Sequence, residues 1–352
     1  METLTSAGHS LYFESNLTAL KALLERNTYS KVFILADEHT SEICLPVFQS
    51  LMDDFADFDL IETSAGEENK NIDFCIGIWK TLLDFGADRK SLLINLGGGV
   101  ITDMGGFIAS TYKRGIDFIN IPTTLLSQVD ASVGGKTGID IDHVKNMVGT
   151  FSLPKMVFIE TQFLTTLPQR ELLSGFAEMI KHGLIYDKAY YEELKTSNYQ
   201  TPSAAHIYRS VEIKNEVVTI DPQEKNLRKI LNFGHTIGHA LESYSLDHDE
   251  NPLTHGEAIA IGFVCEAALS IKNSTLTKSE LKDISEYILS LYPKYDIKEE
   301  SFDSLLALMQ SDKKNEDGNI LFSLLETTGK CTFNCRVADS DILSSLAYYN
   351  SL

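Results

Sequence analysis

The sequence predicts an α/β domain built on a mostly parallel sheet, followed by a mainly α-helical domain. Three observations predict this. Short apolar runs alternate with segments of helical period up to about residue 160. One of those runs enters a helix through Gly97-Gly98-Gly99. Beyond residue 160 the apolar residues recur mostly at helical spacing. Strands alternating with helices imply parallel pairing with helices on both faces. The 352 residues suffice for two domains, placed at 1–160 and 161–352.

In chain order, 29–36 (YSKVFILA) reads as a strand ending at Asp37, which can cap the next helix. A short strand at 58–61 leads through the polar loop 62–70 into a helix over 71–85. The apolar run 91–96 is a buried strand, and 100–112 is the helix that follows its glycine turn. Strands follow at 117–121 and near 156–159, the first of them ending at Pro122-Thr123-Thr124. The helical half holds segments at 163–167, 168–184, 188–196, 203–220, 235–244, 255–272 and 278–291. Two β-like runs, 320–325 and 331–337, come late.

The formal net charge of −20 argues against a nucleic-acid partner, which calls for a basic footprint. An anionic ligand would need a local cluster of Lys and Arg working against the field of the whole chain. No apolar run reaches 18 residues and no signal peptide is read, so no membrane partner is expected. Five scattered cysteines suggest reduced thiols and a cytoplasmic setting. Cys331 and Cys335 read as strand packing rather than a zinc or redox pair.

A strand, a glycine turn and a helix N-terminus make an anion-binding device, because bare backbone lets a phosphate approach free N–H groups. The stretch 92–138 holds that device, two threonines and a second glycine turn, Gly134-Gly135-Lys136-Thr137. It is not a clean dinucleotide fingerprint, since the third glycine falls on Thr102. Nor is it a P-loop, since Asp130 stands where that motif needs glycine. In the second half His235 and His239, at i and i+4, share one helix face. His255 opens another helix, and Glu178 sits on a third with Lys181 and His182 close behind. One carboxylate and two imidazoles with an open position make a catalytic zinc pattern. Spacing favours the His235/His239 pair as the imidazoles.

These segments together resemble 3-dehydroquinate synthase, of the sugar-phosphate cyclase superfamily. The resemblance runs through GGGVITDMGGFIASTYKRG, IPTTLLSQVDASVGGKTGID, KNMVG, LPQRELLSGFAEMIKHG, LNFGHTIGHALE, HGEAIAIG and DKKNEDG. It implies an NAD-binding first domain, a metal-binding helical second domain with zinc or cobalt, and a homodimer. It implies Glu178, His235 and His255 as metal ligands, with His239 at the substrate instead. Implied cofactor contacts are Asp37, Glu67, Lys70, Gly98, Gly99, Val100, Ile101, Thr102, Asp103, Thr123, Thr124, Lys136, Lys145, Phe163, Leu164, Thr165 and Thr166. Asp130, Lys136, Lys181 and His239 are implied in catalysis. Arg114, Asn146, Lys214, Arg228, Asn232 and one of Lys313 and Lys314 are implied at the substrate. Thr102, Val144 and His39 depart from residues usual in the family.

The activity so implied converts 3-deoxy-D-arabino-heptulosonate 7-phosphate to 3-dehydroquinate and phosphate, a lyase step of the shikimate pathway. It proceeds by transient oxidation at C5, phosphate elimination, re-reduction, ring opening and intramolecular aldol closure. Rival expectations are another sugar-phosphate cyclase, a metal-dependent polyol dehydrogenase that accumulates NADH, and an acidic scaffold that binds neither NAD nor zinc.

Overall fold

The structure is a computed structural model. It describes residues 2–6, 8–13, 17–26, 29–53, 55–141, 144–310 and 320–352, with Val144 as backbone only. Lys313, Lys314 and the motif DKKNEDG lie outside the described residues. The chain separates into two compact units, Met1–Pro168 and Gln169–Leu352.

The first unit opens with the hairpin β1 (Glu2–Ser6) and β2 (His9–Phe13), then α1 (Thr18–Arg26), β3 (Val32–Asp37) and α2 (Glu38–Leu51). It continues with β4 (Asp59–Thr63), α3 (Ile72–Asp84), β5 (Leu92–Gly97), α4 (Gly99–Thr111) and β6 (Asp117–Pro122). A separate antiparallel ribbon, β7 (Lys136–Ile141) and β8 (Val144–Phe151), precedes β9 (Met156–Phe158). The main sheet runs β1-β2-β9-β6-β5-β3-β4, parallel except for the β1–β2 hairpin.

Side-chain alternation explains the layers. Phe33, Leu35 and Leu93 point to the face covered by α3 and α4, where they meet Ile78, Leu82, Met104 and Ile108. Ile34, Leu92, Ile94 and Leu96 point the other way, onto Leu20 of α1 and Cys44 and Phe48 of α2. A sheet covered on both faces needs both sets apolar, so its strands read as continuous apolar runs. The segment 163–167, expected to be helical, lies mostly in the 3-10 turn Thr161–Thr166. Pro168 disfavours helical backbone at the residue before it, which keeps the turn short.

His9 is a cost built into this unit. It is buried, and neither ring nitrogen has a hydrogen-bond partner among the described residues. Burial pushes its pKa down to about 4. The unfolded chain, titrating near 6.5, therefore takes up a proton that the folded chain refuses. Stability is full above about pH 6.5 and falls as pH drops towards 4. Between pH 6.5 and 5 the expected loss is about 2 kcal/mol. Urea unfolding of His9→Leu at the two pH values should show a decline smaller by that amount; an unchanged decline would place its source elsewhere.

The second unit is helical around a small hairpin. It comprises α5 (Gln169–Tyr186), α6 (Lys188–Thr196), α7 (Ala204–Ile220), the 3-10 turn Leu227–Asn232, α8 (His235–His248) and α9 (His255–Asn273). α10 (Lys278–Leu291), α11 (Phe302–Gln310), the hairpin β10 (Leu321–Thr327) and β11 (Lys330–Arg336), and α12 (Asp339–Ser351) complete it. Cys331 and Cys335 both lie on β11, and all five cysteines are free. No helix among the described residues is long and apolar enough to cross a membrane.

Candidate functional site

Three helices of the second unit bring one carboxylate and two imidazoles together. α5 carries Glu178, α8 begins with His235 and α9 begins with His255. Thr254 and Glu257 close a capping box at the start of α9, which fixes the direction in which His255 leaves the chain. Arg170 of α5 grips Glu257 through Nε at 2.9 Å and Nη2 at 2.7 Å. At Gly256 a Cβ would stand 2.2 Å from the Ser174 carbonyl oxygen, so only glycine lets α5 and α9 approach here. Glu178 lies one turn beyond Ser174 and so faces the N-terminus of α9.

The donor set fits a metal. Oε1 of Glu178 stands 3.5 Å from His235 Nε2 and 3.6 Å from His255 Nε2. That oxygen is fully buried and has no hydrogen-bond partner among the described residues. The other oxygen, Oε2, accepts a hydrogen bond from Lys181 Nζ. His235 Nδ1 lies 3.0 Å from the Phe233 carbonyl oxygen, and His255 Nδ1 lies 3.3 Å from Glu242 Oε2. A donor proton on each Nδ1 leaves Nε2 as the ligand atom, the arrangement typical of metal-bound histidines. Burial pulls the His255 pKa down, but Glu242 and Glu178 outweigh it and raise the imidazole to about 9. A second set, His239, Glu242 and His255, also places ligand atoms within 4.8 Å of one another.

The same unit buries cations that an acidic chain has no general reason to hide, one of them, Lys181, against Glu178. Lys181, Lys214 and Arg228 are all buried. Arg228 sits in the turn before α8, donating from Nη1 to the Pro222 carbonyl at 2.8 Å. Asn232, in the same turn, donates from Nδ2 to Glu224 Oε1 at 2.8 Å. His239 follows His235 by one turn of α8, with ring centroids 5.1 Å apart.

The first unit sets Asp37, the Gly98 turn, Thr123 and Thr124 at the carboxyl ends of its strands, where open parallel sheets bind ligands; Arg114 instead precedes β6, at its amino end, and Lys136, Lys145 and Asn146 lie on the β7–β8 ribbon. β5 ends at Gly97, and Gly98 caps α4 with no side chain. A Cβ on Gly98 would lie 3.0 Å from Thr124 Cγ2, so the bare backbone forms a cradle at the helix N-terminus. Gly99, Val100, Ile101 and Thr102 make the first turn of α4; the N–H groups of the first three suit a pyrophosphate, while that of Thr102 donates to the Gly98 carbonyl at 3.0 Å. Thr123 and Thr124 follow β6 beside it, Thr123 N donating to the Gly97 carbonyl at 3.0 Å. Asp37 ends β3 and caps α2 through Thr40 N at 2.8 Å. Phe163 and Leu164 are buried, while Thr165 and Thr166 are exposed. These features fit a dinucleotide.

Lys70 ties this region together. It is buried, donating to Asp103 Oδ2 at 2.8 Å and Asn146 Oδ1 at 2.9 Å. Burial opposes its charge, yet Asp103, Glu67 and Asp140 outweigh it and raise its pKa. Lys145 lies 3.3 Å from Glu67. Asn146 has φ +54°, and its N–H donates to Asp140 Oδ1 at 2.6 Å. Arg114 and Lys136 are exposed, and Asp130 is half-buried. Asp140, Glu242 and Glu266 escaped the reading of the sequence. For Glu266 a signal was present: a lone acid inside the apolar run of α9.

The two units define a fold shared by sugar-phosphate cyclases and iron-containing alcohol dehydrogenases. A 2-deoxy-scyllo-inosose synthase solved with carbaglucose-6-phosphate, NAD+ and Co2+ superposes with a TM-score of 0.86 at 24% identity, over 99% of both chains. An iron-containing alcohol dehydrogenase from Thermotoga maritima gives 0.69 at 12% identity, again over 99% of both. At such identities the likeness concerns the fold alone.

Sequence narrows the class. Residues 60–174 match the 3-dehydroquinate synthase N-terminal model and 175–315 match the C-terminal one. The 3-dehydroquinate synthase of Parabacteroides distasonis is 44% identical over 335 residues, 94% of each chain. That of Clostridium botulinum is 40% identical over 85% of this chain and 86% of its own. The chain belongs to the 3-dehydroquinate synthase family.

Proposed function

We infer that the chain converts 3-deoxy-D-arabino-heptulosonate 7-phosphate to 3-dehydroquinate and phosphate, as a cytoplasmic homodimer. The observation that carries this is the 44% identity to a relative of that name along 94% of both chains. When bound, NAD would supply the hydride acceptor and a zinc or cobalt ion a Lewis acid at the hydroxyl being oxidised. Glu178, His235 and His255 would hold the ion. Asp37, Glu67, Lys70, the first turn of α4, Thr123, Thr124, Lys145 and the turn at 163–166 would hold the dinucleotide.

The substrate carries a phosphate and a carboxylate into a protein of net charge −20. Buried Lys181, Lys214 and Arg228 of the second unit would supply the opposing charge. Arginine suits bidentate grip on either anion, and lysine acts as a point charge. Asn146 and Asn232 would orient hydroxyls. Asp130 and His239 would pass protons to and from them, His239 through a ring nitrogen.

Phosphate release from 3-deoxy-D-arabino-heptulosonate 7-phosphate, with NAD and zinc present and NADH absorbance recorded, tests this reading. Steady release without net NADH is expected. NADH accumulation would make the chain a dehydrogenase. Turnover only of glucose 6-phosphate or sedoheptulose 7-phosphate would make it a different cyclase.

A further inference from the structure

α8 and α9 pack antiparallel, and each presents a buried carboxylate to the other's beginning. Glu266 of α9 is fully buried. Its Oε2 accepts from Gly234 N at 2.6 Å, and its Oε1 from Thr236 N at 3.0 Å and Ile237 N at 3.1 Å. Those three N–H groups flank His235. Gly234, the residue capping α8, has φ +79° and no side chain, so the cap comes from the neighbouring helix. At the other end, Glu242 of α8 is buried and reaches His255 Nδ1, at the start of α9. Eleven residues separate His255 from Glu266, close to three whole turns, so both lie on the α9 face that meets α8.

The surfaces between the two ends permit no slack. A Cβ on Gly262 would stand 1.9 Å from the Gly234 carbonyl oxygen, and Phe233 and Phe263 stack at 5.6 Å. A shift of one residue along a helix moves a side chain by about 1.5 Å and swings it about 100°. Either would take His235 or His255 away from Glu178.

We propose that Glu266 and Glu242 form a reciprocal carboxylate clamp that sets the register of α8 against α9 and thereby positions the two histidines for the metal. Neither acid ligates the ion; both are positioning residues. Glu266 fixes where His235 starts, through charge-assisted bonds to the helix N-terminus. Glu242 fixes the ring plane and tautomer of His255. The proposal rests on the reading of Glu178, His235 and His255 as the metal site.

The test measures zinc affinity by chelator competition and the visible absorption of the cobalt form, for the parent chain and for E266Q and E242Q. Thermal unfolding of the metal-free proteins is recorded alongside. Each variant is expected to bind zinc about 10–100-fold more weakly and to show an altered cobalt spectrum. For E242Q the metal-free melting temperature should stay near that of the parent, which separates ligand orientation from general stability. Folded variants with parental zinc affinity and cobalt spectrum would overturn the clamp. If E266Q does not fold, E266D, which keeps the charge on a shorter arm, is read in the same way. If neither folds, E242Q decides. Failure of the parent chain to bind zinc would instead overturn the metal site.

Discussion

Glu178→Ala is expected to leave the protein without its metal and to cut turnover by at least about a thousandfold. A Lewis acid contributes several kcal/mol at the reacting oxygen, and each 1.4 kcal/mol is tenfold in rate. The geometry makes Glu178 the shared vertex: one oxygen faces both Nε2 atoms, at 3.5 and 3.6 Å, and the other holds Lys181. Alanine removes the ligand and also takes one charged partner from the Lys181 ammonium, which is 1% exposed, so some loss of stability accompanies it. Glu178→Gln separates the two effects. It keeps the volume and an oxygen for Lys181 while removing the charge that the metal needs. Elemental analysis of both variants is the measurement. Full metal content in either folded protein would contradict the assignment.

How far the sequence alone reaches can be seen at particular residues. The runs at 91–96 and 117–121 announced themselves because β5 and β6 are covered on both faces, and a strand so buried has no polar side. The β7–β8 ribbon gave no such signal. Gly138 and Gly149 interrupt it, and Met147, Val148 and Phe151 are exposed, so neither alternation nor a long apolar run marks it. The β1–β2 hairpin was hidden for another reason: β2 pairs with β9, more than 140 residues along the chain. No local pattern encodes such a partner. The late helix α12 was missed although it packs Ile342, Leu346 and Tyr349 inward at helical spacing.

The site divides in the same way. The i, i+4 spacing of His235 and His239 pointed to α8, one helix of the cluster, because periodicity is a property of one element. Which imidazoles converge on one carboxylate depends on three helices at once. α5 reaches His255 only because Gly256 lets it come close to Ser174, and spacing within one helix carries no trace of that contact. Glu242 and Glu266 act across a helix pair; Glu242 leaves no mark in the periodicity, and Glu266 leaves one only as a lone acid in the apolar run of α9.

His239→Ala decides between the two metal sets that the second unit could assemble. In one, Glu178, His235 and His255 ligate; in the other, His239, Glu242 and His255 do. The second set would turn Glu242 from the partner of His255 Nδ1, where it stands at 3.3 Å, into a ligand, and would leave the buried Oε1 of Glu178 without a task. His239→Ala is therefore expected to retain a full complement of zinc. Its turnover should fall by about 10²–10⁴-fold, the contribution of a positioned proton-transfer group. The loss should appear in kcat more than in KM, because the imidazole works on the proton in flight rather than on the anionic groups that bind the substrate. Elemental analysis and steady-state phosphate release measure the two halves. Loss of zinc together with activity would move His239 into the ligand set and displace Glu178 from it.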